Sequence, residues 1–183
     1  MPGIKKLTLR FRFEEEKELA ALDLSTFIFD INRIYAPAVR SLLEPDWASG
    51  ARVNAPFSFN RFAFLLPKPY SLIVSRARFE SPGLLEIAAN VAAVGAAANV
   101  VFSAFWVLLK CVEMIEGWPL NDRRRKLEVE KLEREVLKDA AERSIEPHLR
   151  IPPVRGAIQR LSENPLKPTE IKIIISRRDR LRW

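Results

Sequence analysis

Apolar and polar residues alternate along "LTLRFRF". Leu7, Leu9, Phe11 and Phe13 fall on one side, Thr8, Arg10 and Arg12 on the other. A period of two describes a strand with one buried face. The pattern then changes period. Asp23 stands as an N-cap, with Leu22 and Phe27 placed for a hydrophobic staple, and the segment at 24–43 follows with Phe27, Ile31, Ile34 and Tyr35 as its buried stripe. Pro37 lies inside that helix and predicts a kink or break. Two further strand-like runs, at 57–66 and 71–79, are joined by the turn "PKPY". In the second, Ile73, Ser75, Ala77 and Phe79 oppose Arg76 and Arg78. Near the C-terminus a short helix at 154–164 precedes a strand with Ile171, Ile173 and Ile175 on one face.

Between these elements the alternation gives way to "IAANVAAVGAAANVVFSAFWVLL", from Ile87 to Leu109, which carries no charged residue. Ser81 as cap and Pro82 in the first turn predict a helix from there to about Glu116, on the order of 50 Å long. Length and lack of charge favour a membrane span. Ala88, Ala92, Ala96 and Ser103 supply a surface of small residues for helix–helix contact. Against a span stand the amides of Asn90 and Asn99 and eight weakly lipophilic alanines. Pairing of the first and last strands in one sheet would exclude a single span. The balance falls to membrane association, with a packed core helix in an oligomer as the alternative. A second helix, charged and amphipathic, is expected from Asp122 to Arg143, with Leu127, Leu132, Val136 and Ala140 as its apolar line.

Charge adds a direction. The chain of 183 residues has a net charge of +7, and the excess sits at its end. Up to Glu86 twelve Lys/Arg face ten Asp/Glu, whereas from Asp122 onward seventeen face eleven. "DRRRK" and "SRRDRLRW" concentrate it in Arg123, Arg124, Arg125, Lys126, Arg177, Arg178, Arg180 and Arg182. Such residues suit an anionic surface, either lipid headgroups or nucleic-acid phosphates. A single cysteine forms no internal disulfide, and the N-terminus has no secretory pattern, so the cytoplasm, up to the inner face of the cell membrane, is the expected location.

Candidate catalysis is sparse. His148 is the only histidine and has no local partner, so a loop role is expected rather than general-base chemistry. Asp23 and Asp30 share a helix face, yet a cap and an ion pair with Arg33 or Arg40 account for them. Cys111, beside Val112, is expected to be buried and inert. No metal or cofactor is expected: one histidine and one distant cysteine assemble no zinc site, and no glycine-rich phosphate loop occurs.

The order "ARFESPGLLEIAANVAA … CVEMIEGWPLNDRRRKLEVEKLERE", with "DLSTFIFDIN" at 23–32, resembles a group of uncharacterised small bacterial proteins. In these a Ser-Pro-capped, Ala-rich apolar helix is followed by a "PL-x-x-R-x-K-L" charged arm. The likeness covers residues 23–35 and 76–137. Gly83 is inserted here, so Leu84 replaces the capping-box Glu. The resemblance implies an accessory or effector-like protein with a membrane-prone helix, of a kind found in bacterial conflict systems.

Together these readings predict an α+β chain with a sheet of about three to four strands. Its expected parts are a head at 1–80, a long apolar helix at 81–118, a charged helical arm at 119–145, and a linker, helix and strand with a basic tail at 146–183. The expected function is non-enzymatic: self-association or partner binding, as a homo-oligomer or in a protein complex, at an anionic membrane. The alternative is a basic subunit associating with nucleic acid or a nucleoprotein complex.

Overall fold

A computed structural model describes residues 4–13, 20–43, 66–79, 82–94, 98–115, 118 and 145–177. The first alternating segment forms strand β1 (Ile4–Phe13), and helix α1 (Ala21–Leu43) follows. A 3₁₀ turn at Lys68–Tyr70 leads into β2 (Leu72–Arg78), which forms a hairpin with β3 (Leu84–Ala89). Beyond a second 3₁₀ turn, Val91–Ala93, come helices α2 (Ala98–Glu113) and α3 (Pro152–Glu163), then β4 (Pro168–Arg177). The fold is α+β, as the sequence predicts.

The four strands make one antiparallel sheet in the order β2-β3-β1-β4. Because every neighbouring pair is antiparallel, β1 runs parallel to β2 with β3 between them. Likewise β3 runs parallel to β4 with β1 between them. Two split βαβ units interleaved in this way are the ferredoxin-like arrangement, and among the described residues both α2 and α3 lie in the second crossover.

One face of the sheet carries the core. Leu7, Leu9, Phe11 and Phe13 of β1, Leu85 and Ile87 of β3, and Ile171 and Ile173 of β4 are buried together with Phe27, Ile31, Ile34 and Tyr35 of α1. Phe27 meets Phe11 and Phe13 edge-on at 5.1 and 5.6 Å and stacks on Trp118 at 5.4 Å. From α2, Phe102, Phe105, Trp106, Leu108 and Val112 close the same core, as do Val154, Ala157 and Leu161 of α3.

The apolar run departs from expectation. Residues 87–109 are not one helix: Ile87, Ala88 and Ala89 end a strand, Val91–Ala93 make a turn, and α2 starts only at Ala98. The strand has its own alternation, with Leu85, Ile87 and Ala89 inward and Leu84 and Glu86 half-buried on the other side. Alanine has the highest intrinsic helix propensity, but propensity yields to tertiary context, and pairing with β1 on one side and β2 on the other outweighs it. Within the sheet, Ile87, Ala88 and Ala89 are buried. Among the described residues no helix is long and apolar enough to cross a membrane. α2, with 16 residues, reaches about 24 Å where about 30 Å is needed.

β3 and β4 both pair with β1, so segments assigned to three separate parts share one sheet. The charged arm expected at 122–143 and the strand-like run at 57–65 lie outside the described residues. At the head of α1, Leu22 is 75% exposed and the helix already includes Ala21, so Asp23 lies in the first turn and no staple forms. Its charge still suits the positive end of the helix. α1 continues through the buried Pro37 to Leu43.

Candidate functional site

The sheet face opposite the core is built from the polar positions of the same strands. Register sets these in rows. Arg78 of β2 pairs with Leu84 of β3, which pairs with Arg12 of β1, which pairs with Glu170 of β4. The next row is Arg76, Glu86, Arg10 and Lys172. Five cations and two carboxylates therefore occupy half of one face. Cross-strand neighbours stand about 5 Å apart, and residues two apart on one strand about 7 Å.

A bulge at Ser75, between Val74 and Arg76, aims the β2 arginines at this face. It turns Val74 toward the core side, where it pairs with Ile87. Glu86 is the most enclosed charge in the group. Its Oε1 accepts from Arg10 Nε at 2.8 Å and Nη2 at 2.7 Å. At the margin Lys172 Nζ stands 2.7 Å from Glu170. Arg12, Arg76 and Arg78 are exposed, whereas Thr8 and Ala88 in the next row are buried. The cationic surface thus occupies the end of the sheet at Arg12 and Arg78.

The residues expected to carry function fall elsewhere. Ala88 is a buried strand residue, Ala92 an exposed turn residue, and Ser103 is buried in α2. They share no helix face, because the helix expected to align them is absent. Ala96, Arg123, Arg124, Arg125, Lys126, Arg178, Arg180 and Arg182 lie outside the described residues, and Arg177 is the last residue of β4. The sequence did place Arg10, Arg12, Arg76 and Arg78 on solvent faces. Only the pairing of β1 and β2 through β3 brings them side by side.

The remaining candidate chemistry is structural. Asp30 is buried, and both its carboxylate oxygens accept from Arg160 of α3, with Nη2 at 2.6 Å and Nε at 3.1 Å. Arg33 stands at 4.0 Å and lies over the Phe29 ring at 4.3 Å. A carboxylate held in this way ties α1 to α3 and is not a free base. His148 is not in a loop. It is buried in a helical turn at 145–149, and its Nε2–H donates to the Ile34 carbonyl at 2.9 Å. Burial lowers its pKa to about 4 against the opposing effect of that bond, so the ring is neutral. Burial pushes the Cys111 thiol up to about 12, in keeping with an inert thiol. Among the described residues no three His, Cys, Asp or Glu side chains converge as a metal site would require.

Comparison with protein-family models, curated proteins and solved structures finds no match to this chain. The functional reading therefore rests on the site itself.

Proposed function

We propose that this chain is a nucleic-acid-associated accessory protein that acts by binding, through the cationic face of its sheet. The observation that carries the reading is the placement of Arg10 and Arg12. Arginines on an edge strand serve to block edge-to-edge pairing, which accounts for Arg76 and Arg78 on β2. β1 is a central strand with no edge to guard, yet it presents two arginines to the same face, level with the other pair. Successive cations about 7 Å apart along a strand are comparable in spacing to successive phosphates along a nucleic-acid backbone. An anionic membrane is the weaker reading, because the long apolar helix that would have engaged lipid is divided between a strand, a turn and a core helix.

Fluorescence anisotropy with a labelled 24-nucleotide strand, titrated from 50 to 200 mM salt, tests this. Affinity should fall steeply with salt through counterion release. The double variant Arg12→Glu, Arg76→Glu should weaken binding by about tenfold or more and flatten the salt dependence by about two slope units, with its circular dichroism unchanged. Equal affinity of variant and parent, or binding confined to phosphatidylserine vesicles, would remove the nucleic-acid reading.

A further inference from the structure

We infer that Glu86 is an internal anion that regulates the cationic face: its carboxylate holds Arg10 in the place of a ligand phosphate, and a polyanion must displace it to use that arginine. This rests on the nucleic-acid reading above and concerns the regulation of that same site. Oε1 of Glu86 accepts from Arg10 Nε at 2.8 Å and from Nη2 at 2.7 Å. Those two N–H groups form an edge with which a guanidinium grips a carboxylate or a phosphate, so one anion excludes the other there.

The Asp30–Arg160 pair provides the contrast. Asp30 is 1% exposed, uses both carboxylate oxygens, and joins α1 to α3 across 130 residues of chain. Opening that pair would strand a buried charge. Arg10 and Glu86, by comparison, are register partners on β1 and β3, which the sheet ladder already joins. Their ion pair adds no connection between elements. Its side chains are 36% and 13% exposed, so an anion arriving from solvent meets the arginine before the carboxylate. Register also sets Arg76 of β2 on the other side of Glu86. The carboxylate thus lies between a cation of each flanking strand, and a phosphate brought to either meets its repulsion from about 5 Å. Ion pairs near the surface are weak, equivalent to at most about fivefold in an equilibrium constant. Competition of that size lowers affinity without abolishing it.

The experiment compares the full chain with Glu86→Gln on the labelled 24-nucleotide strand, with Glu163→Gln as control. Glutamine keeps the size of the side chain and an oxygen for Arg10 but removes the competing charge. Glu163 is exposed on α3, over the other side of the sheet, and its substitution makes the same change in net charge. At 50 mM salt Glu86→Gln should bind about three- to fivefold tighter than the parent. Its log–log salt slope should steepen by about 0.7 as Arg10 takes up one further phosphate. Glu163→Gln should stay within about 1.5-fold of the parent, because its charge is screened from the site. Equal or weaker binding by Glu86→Gln would overturn the inference, since a carboxylate that only orients Arg10 is missed when its charge is lost. An equal gain in Glu163→Gln would overturn it too, by making the effect one of net charge. Either result leaves nucleic-acid binding intact. If neither the parent nor Glu86→Gln bound the strand, the reading beneath it would fall instead.

Discussion

His148 makes stability depend on pH in a window that can be calculated. Its ring is buried, Nε2 is committed to the Ile34 carbonyl, and Nδ1 has no hydrogen-bond partner among the described residues. A proton added at Nδ1 would create a buried, unpaired charge. The folded pKa is accordingly lowered from 6.5 to about 4. As pH falls through this interval the unfolded chain takes up a proton that the folded chain refuses, so acid favours unfolding. The contribution is fully present above about pH 6.5 and is lost progressively down to about pH 4. One pKa unit corresponds to about 1.4 kcal/mol, so the whole window amounts to about 3 kcal/mol. At pH 5 the same linkage gives a loss of about 2 kcal/mol.

Urea unfolding followed by tryptophan fluorescence at pH 7.5 and pH 5.0 measures that loss. Carboxylates also begin to titrate near the lower value, and His148→Gln separates the contributions. Glutamine retains an N–H donor for Ile34 and does not titrate, so it should abolish about 2 kcal/mol of the acid sensitivity whatever its own effect at pH 7.5. Parallel losses in parent and variant would refute the reasoning. Because the chain has one histidine, a single imidazole resonance should also stay in its neutral position down to about pH 5. Movement of that resonance with a midpoint near 6.5 would give the same refutation.

Two further predictions concern the helical layer. Asp30→Asn should lower stability by about 1–3 kcal/mol, less than for a fully buried pair because Arg160 is partly exposed and regains water; an unchanged urea midpoint would show that the α1–α3 tie is dispensable. Cys111 should resist an aromatic disulfide reagent at pH 8 in the folded protein and react fully once unfolded in urea; rapid labelling of the native chain would contradict its burial.

The parts of the fold legible in the sequence are those where period and burial agree. β1, α1 and the last strand each have a face whose residues the structure buries as the pattern requires, whereas in β2 the bulge sets Ile73, expected opposite Arg76 and Arg78, on their side of the sheet. The apolar run failed as a signal because a segment buried on many sides loses its periodicity. Ile87, Ala88 and Ala89 are buried on both faces of the sheet, and nearly every residue of α2 from Val101 to Val112 is buried. Neither a strand nor a helix then shows a polar side, and length alone suggested a span. His148 was illegible for a different reason: its partner, the Ile34 carbonyl, is 114 residues away and is a backbone atom. The site was half legible. Alternation gives Arg10 and Arg12, or Arg76 and Arg78, as solvent-facing pairs, but their adjacency is a property of register.

That adjacency has an electrostatic cost which bears on function. Five cations at cross-strand spacing repel one another, and such an arrangement persists in a sheet only if compensated or if used. Glu86 compensates in part: set between Arg76 and Arg10 in its row, it accepts two bonds from Arg10. Glu170 does the same for Lys172 at the margin. Arg12, Arg76 and Arg78 of the same rows are exposed. A surface serving only solubility would intersperse its signs. A surface that grips a polyanion must keep a surplus, and it must hold its cations in fixed geometry so that little freedom is lost on binding. Antiparallel pairing supplies that geometry, and among the described residues α1, α2 and α3 pack over the other side of the sheet.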